Sequence, residues 1–319
     1  MHAGINEPKG DVARLAMQSG HDKAGSINVA REAMEKPRAI AGEMQPDPAP
    51  AVIIMNADDW GLAPQTTRCI LDCARAGALS SVSAMVFMEV SEEAASLARE
   101  HEIDAGLHLN LTTAFTGTRA SSQLREHHER VIAYLRRRRL HRAVFNPFLM
   151  NSFEYVTKAQ IEEFTRLYGS APRHLDGHHH MHLCMNVLLQ RLLPAGTLVR
   201  RNKSSLAGER GLADRCYRGL RDSLLMRRHR TTDYFFDLVP LERERLKKIV
   251  ELGRHWDVEV SAHPDNEEEY KFLMNDGLAK WVDNLVLARG YHPRGRAAQM
   301  DAQPRSAPVQ DAGSRANRT

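Results

Sequence analysis

The sequence predicts an α/β fold, with a mostly parallel sheet and helices packed outside it, wound as a (β/α) barrel, complete or distorted. Two observations lead there. Between residues 51 and 292, short apolar runs alternate with amphipathic segments, and repeated βα units build parallel sheets covered by helices. Acidic and histidine residues gather at the carboxyl ends of several of those runs, where parallel α/β folds place their functional side chains. About seven strands suit one barrel better than two small domains, although an open doubly wound sheet has the same periodicity.

Taken in order, Ala51–Met55 is a continuous apolar run of the kind buried on both faces of a parallel sheet. Thr66–Ala76 reads as a helix, with Ile70, Leu71 and Ala74 on one side and Gly77 as its stop. Ser83–Met88 reads as a strand, Glu92–Glu100 as a helix and Ile103–Leu109 as a strand. Beyond an Arg-rich stretch come helix Lys158–Tyr168, strand His174–Asp176, helix Asn186–Leu193 and strand Leu198–Arg200. Helix Leu212–Leu225, strand Asp233–Leu238, helix Leu241–Leu252 and strand Val258–Ala262 complete the alternation.

The flanks differ in composition. Residues 1–50 are poor in aliphatics and end in Pro46-Asp47-Pro48-Ala49-Pro50, which predicts a disordered leader; residues 293–319 predict a disordered basic tail. The catalytic domain is expected between them, over 51–292. No apolar run reaches the ~18 residues needed to span a bilayer, and no signal-peptide pattern is present, so a cytoplasmic protein without membrane association is expected. Four cysteines with no CxxC pair make no disulfide framework. The formal net charge is +4, but residues 291–319 hold five Arg against two Asp. The body is nearly balanced, which argues against a nucleic-acid partner. Homo-oligomerisation is compatible with the sequence.

The chemistry concentrates in four segments: Asn56-Ala57-Asp58-Asp59-Trp60-Gly61, Gly106-Leu107-His108-Leu109-Asn110-Leu111-Thr112, His174-Leu175-Asp176-Gly177-His178-His179-His180-Met181-His182, and Ala262-His263-Pro264. Adjacent carboxylates at a strand end repel unless something neutralises them, and a divalent cation does so. A carboxylate with two imidazoles and open positions gives a metal that activates water. Taken singly, Asp-Asp after a strand is also a common turn or helix cap, and a His run can be a solvated surface. Their joint placement at strand ends favours a site.

In this order, the four segments resemble the YdjC-like carbohydrate deacetylase family, which includes chito-oligosaccharide deacetylases and hopanoid-associated relatives. The resemblance spans residues 51–265. It implies a distorted (β/α) barrel that removes N-acetyl groups from amino sugars or oligosaccharides with one divalent metal ion, Mg²⁺ by the family pattern, Zn²⁺ equally compatible with histidine ligands. It further implies that Asp59, His108 and His178 are the metal ligands, Asp58 the catalytic base, and His263 a catalytic group near the leaving amine or the oxyanion. Arg200 is expected to hold Asp58 or a sugar oxygen, and Trp60 to touch substrate. Trp60 stands where relatives usually have Phe, and Gly177 where many have Ser.

Competing readings use the same residues. A metal-dependent phosphoesterase acting on a sugar phosphate needs the same activated water, whereas a non-catalytic metal-binding protein leaves Asp58 without a task. An iron oxygenase triad of two His and one carboxylate usually sits in an antiparallel barrel, which the βα alternation opposes. Residues 121–142 hold seven Arg against two Glu. They read best as a solvated helix face with Val131, Ile132 and Leu135 turned inward; a nucleic-acid surface or a site for an anionic substrate would be the rival roles.

Overall fold

The computed structural model describes residues 51–205, 212–275, 277 and 285–293. The expected leader, and the expected tail beyond Pro293, lie outside the described residues. Among the described residues, eight strands form one sheet: β1 (Ala51–Trp60), β2 (Ser81–Ala84), β3 (Ala105–Leu109), β4 (His174–Gly177), β5 (Leu198–Val199), β6 (Tyr234–Asp237), β7 (Val258–Ala262) and β8 (Leu285–Leu287). Their order is β5-β4-β3-β2-β1-β7-β6, with β8 on β1, and every registered pair is parallel. The end strands meet only irregularly. Leu198 bridges Arg230, and the Ser204 N–H donates to Phe235 O over 2.7 Å. The sheet is therefore curled into a distorted, incompletely closed barrel, as the sequence predicts.

The helices are α1 (Pro64–Arg75), α2 (Ser91–Glu100), α3 (Ser122–Arg137), α4 (Met150–Tyr168), α5 (Met185–Gln190), α6 (Leu212–Met226), α7 (Arg243–Leu252) and α8 (Glu267–Met274). One apolar core packs α1 to α5 against the outer faces of β1 to β4, with Ile70, Val131, Phe153 and Phe164 among its residues. A second joins β1, β6 and β7 to α7 and α8 through Ile53, Phe236, Ile249 and Leu273. The Arg-rich α3 buries Leu124, His128, Val131 and Leu135, so a single face packs inward; Ile132 is half-buried.

Alternation along the strands sets what faces the lumen. On β1, Ile53, Met55 and Ala57 enter the outer cores, so Ile54, Asn56 and Asp58 turn inward. Opposite them stand Ser81 and Ser83 on β2, His108 on β3, Asp176 on β4 and Glu259 on β7, all buried. Most of this lumen is thus polar. Its lower end is closed by apolar and aromatic groups: Ile54, Leu198 and Tyr291 pack together, and the Tyr291 ring stacks on His174 at 4.0 Å. Gly106 makes that stack possible, because a Cβ there would lie 2.2 Å from the His174 ring.

Candidate metal centre and its carboxylate network

β1 runs past Met55, where the apolar pattern ends, to Trp60. In a regular strand Asp58 and Asp59 would point to opposite faces. The register against β2 shifts between Ala57 and Trp60, and Asp59 adopts a left-handed backbone with φ 68°. This bulge brings both carboxylates into one site, a recurrent use of bulges.

Asp59 faces two imidazoles. Its Oδ1 lies 2.8 Å from His178 Nδ1 and 3.2 Å from His108 Nε2. His108 reaches it from the end of β3, and its other nitrogen, Nδ1, lies 2.7 Å from Asp176 Oδ1. The Nδ1–H donated to Asp176 turns Nε2 toward Asp59, the arrangement that orients metal-ligating histidines. His178 opens a short 3-10 turn, His178–Leu183, directly after β4. Two consecutive left-handed residues, His179 (φ 55°) and His180 (φ 59°), make that turn. They are held by His179 Nδ1 at 3.0 Å from Thr112 Oγ1 and by the His180 ring on the Phe235 edge at 5.6 Å. The same turn sends His182 back beneath the strand, where its Nε2–H donates to Arg200 O over 2.9 Å.

Asp58 has different company. Arg200 clamps it with two bonds, Nη1 to Oδ2 at 2.7 Å and Nη2 to Oδ1 at 2.8 Å. The same guanidinium meets Asp176 Oδ2 at 2.6 Å and Glu259 Oε1 at 2.6 Å, and Tyr291 OH donates to the other Glu259 oxygen. Asn56 Nδ2 donates to Asp58 Oδ1 at 2.9 Å and to Ser83 Oγ at 2.8 Å, and Ser83 donates on to Asp176 at 2.8 Å. Burial pushes the Asp58 carboxyl up, but the Arg200 charge overrides it and holds the group below its usual range; Asp176 behaves alike for the same reason. Burial disfavours the charged form of His108, yet Asp176 lifts its pKa to about 10. Burial also lifts Glu259, to about 7 against the pull of Arg200.

Two triplets in this network place ligand atoms within 4.8 Å of one another: Asp59, His108 and His178, and Asp58, His108 and Asp176. Asp58 and Asp176 already share the cation of Arg200. The first triplet has no such partner among the described residues, and its donors combine one carboxylate with two imidazoles. Separations of 2.8 and 3.2 Å match adjacent ligands about 3 Å apart around an ion with bonds of roughly 2.1 Å. The residues therefore fit one divalent cation.

The remaining expected residues fall as follows. His263 ends the β7 strand region with its side chain 41% exposed, and its Nε2 lies 3.8 Å from Asp58 Oδ2. Its backbone N–H donates to Glu269 Oε2 at 2.8 Å, in the first turn of α8. Arg200 is wholly buried, and four of the five N–H groups of a guanidinium are committed to carboxylates. That geometry realises the Asp58 option rather than the sugar-oxygen option. Trp60 is also wholly buried and its indole N–H donates to Ala94 O at 3.2 Å. It packs in the core and offers no surface to substrate, contrary to expectation, because the bulge returns the strand to its outward phase.

Asp176 and Glu259 join the site without a motif to mark them. The alternation in Val258-Glu259-Val260-Ser261-Ala262 and His174-Leu175-Asp176 is the signal that would have placed both inside the barrel. Asn110 has a structural part. Its Oδ1 accepts from the Thr112 and Thr113 N–H groups, and its backbone pairs with Gln160 of α4, so the loop presents Thr112 to His179.

Residues 52–284 match the family described as YdjC-like protein. The chain belongs to this family. This YdjC-like chain is 30% identical over 146 residues to the carbohydrate deacetylase of Danio rerio, covering 44% of the chain and 45% of that protein. It is 34% identical over 140 residues to the carbohydrate deacetylase of Homo sapiens, with 42% of each covered. Against the chitooligosaccharide deacetylase of Proteus mirabilis it is 31% identical over 133 residues, 41% of the chain and 50% of that protein. The matches span about half the length of these relatives. In fold it resembles an Enterococcus faecalis protein named for cellobiose-phosphate cleavage, with a TM-score of 0.54, 19% identity, and 75% of this chain and 97% of the other covered.

Proposed function

We propose that this chain is a metal-dependent hydrolase that removes an N-acetyl group from an amino sugar or oligosaccharide, with 51–292 as its catalytic domain. The observation that carries the reading is the division of labour between two neighbouring carboxylates. Asp59 converges with His108 and His178, while Asp58 is drawn off by Arg200 and stands free of that triplet. A metal store would need only the first; a hydrolase needs both. Relatives named carbohydrate deacetylase and chitooligosaccharide deacetylase indicate an acetylated sugar as substrate.

Asp59, His108 and His178 would hold the cation, Mg²⁺ by family resemblance or Zn²⁺ by ligand type. When bound, it supplies Lewis-acid polarisation of the amide carbonyl and lowers the pKa of water. Asp58 accepts the proton of the attacking water as general base. Arg200 keeps Asp58 ionised and fixes its direction, so no reorientation is needed at the moment of transfer. Asp176 holds His108 in the tautomer that turns Nε2 to the centre. His263, partly exposed and 3.8 Å from Asp58, protonates the departing amine. Acetate and the free amino sugar result.

The test is a pair of variants measured for metal stoichiometry and for acetate release from N-acetylated oligosaccharides. Asp58→Asn should keep the metal and lose roughly 10²–10⁴-fold in turnover, the span of a lost general base. Asp59→Ala should lose metal and activity together. Near-normal turnover in Asp58→Asn, or full metal binding in Asp59→Ala, would overturn the assignment.

A further inference from the structure

The segment joining α3 to α4 has no part in the site above, yet it has the most unusual surface of the described residues. From Arg130 to Phe153 the sequence holds no Asp or Glu. Arg136, Arg137, Arg138, Arg139 and Arg142 are all exposed, and no ion pair joins them to a carboxylate among the described residues. Interleaved with them are large apolar side chains left in solvent. Leu140 is 72% exposed, Val144 53% and Phe148 95%.

This surface is built rather than slack. The His141 ring stacks on Tyr134 at 4.5 Å, and its Nδ1 lies 2.6 Å from Tyr134 O. Tyr134 OH donates to Val144 O at 3.0 Å. Asn146 and Asn186 exchange two bonds, Asn146 N–H to Asn186 Oδ1 and Asn186 Nδ2 to Asn146 O, each 2.9 Å. Short 3-10 turns at Arg139–Ala143 and Pro147–Leu149 then carry the side chains outward. The fold pins the segment through its backbone and ring contacts and leaves its arginines and apolar side chains unpartnered.

We propose that this segment docks the protein on an anionic lipid surface, with Leu140, Val144 and Phe148 entering the headgroup boundary and the arginines meeting lipid phosphates. Basic residues mixed with exposed Leu and Phe are the composition of an interfacial membrane contact. Each Lys or Arg near an anionic bilayer strengthens binding about fivefold. Charge complementarity chooses this occupant over a second copy of the chain, which would set five arginines against five more. A nucleic acid would need several aromatic faces free for successive bases; the Tyr134 ring is covered by His141, which leaves Phe148 as the one largely exposed ring of the segment. No described helix is long and apolar enough to cross a membrane, so the contact is peripheral. The inference stands independently of the hydrolase reading.

The experiment is co-sedimentation of the full chain with phosphatidylcholine vesicles, with or without one-third phosphatidylglycerol. Partitioning onto the anionic vesicles alone, weakening as salt rises, is the expected result. The double variant Leu140→Ser/Phe148→Ser should lower it at least about tenfold through lost apolar burial. Arg137→Ala/Arg138→Ala should lower it by roughly the square of the fivefold factor and flatten the salt dependence. Circular dichroism and metal binding should be unchanged in both, since these side chains lie on the surface. The proposal is overturned by absence of partitioning, by partitioning unaffected in both variants, or by equal binding to neutral vesicles. A concentration-dependent dimer abolished by Phe148→Ser would overturn it in favour of self-association, and tighter binding to random oligonucleotides in favour of nucleic acid.

Discussion

Asp176 shows how much of the centre rests on a residue outside the ligand set. It accepts from His108 Nδ1 and shares Arg200 with Asp58, so it fixes a ligand's tautomer and balances the base's counter-ion. Asp176→Asn keeps an acceptor oxygen but removes the charge. Metal affinity should fall about 10–100-fold, the usual effect of losing a ligand's supporting carboxylate, as read by calorimetric titration with Mn²⁺ or Zn²⁺. Unchanged affinity would deny Asp176 that role. The identities of Asp58, Asp59, His108 and His178 were legible because imidazoles and paired carboxylates are conspicuous at strand ends. Glu259 and Asp176 were not singled out, since single acids are common and only their inward phase distinguishes them. Trp60 misled because its neighbours are in the site, while the bulge that separates it from them leaves no mark in composition.

Among the elements, strands read well where the outer face is apolar throughout, as in Ala51–Met55, and poorly where inward polar residues interrupt the run. The face of α4 is hard to read for a related reason. Its buried stripe, Phe153, Val156, Gln160, Phe164 and Leu167, contains a glutamine whose side chain is satisfied by Asn110 on a distant loop. Tertiary pairing makes a polar residue behave as core, and periodicity cannot register that. β8 is too short to announce itself, yet the residues after it close the barrel. Tyr291 N–H donates to Asp104 Oδ2 at 2.7 Å, and Tyr291 OH serves Glu259. Tyr291→Phe would keep the stack on His174 and strip one Glu259 oxygen of its donor. Leaving a buried acceptor unsatisfied costs roughly 1–3 kcal/mol, so the urea midpoint should drop accordingly. A midpoint equal to wild type would mean the Glu259 oxygen finds another donor. Gly106→Ala, by contrast, should be worse tolerated than its size suggests, because the Cβ must displace the His174 ring from that same stack.

Across the whole molecule, buried histidines make folding stability a function of pH. His128 stacks on Phe115 at 3.8 Å and donates Nε2–H to Asn110 O at 3.1 Å; burial lowers its pKa to about 4. Burial lowers His182 to about 3 and His174 to about 4. In the unfolded chain each titrates near 6.5. Between those values the unfolded state binds more protons, so stability rises with pH. The contribution is complete above about 6.5 and is lost as pH falls toward 4. His128 alone represents roughly 3 kcal/mol over that span. Asp58, Asp59 and Asp176, whose folded carboxyls are held below their usual range, extend the loss in the same direction below about 4. His108 acts oppositely in the metal-free protein: raised to about 10, its contribution is present below about 6.5 and disappears as pH rises through the folded value. Metal-free stability should therefore be greatest near pH 6.5 and fall on both sides. Glu259 and Glu269, both raised to about 7 by burial, oppose the histidines over the same range, so the acid-side slope is reduced and keeps its sign because the lowered histidines outnumber them. Urea unfolding from about pH 8 down to about pH 4.5 measures it through the linkage slope. A midpoint constant from pH 8 to pH 5 would mean that the lowered histidines do not outweigh the raised Glu259, Glu269 and His108 in the fold.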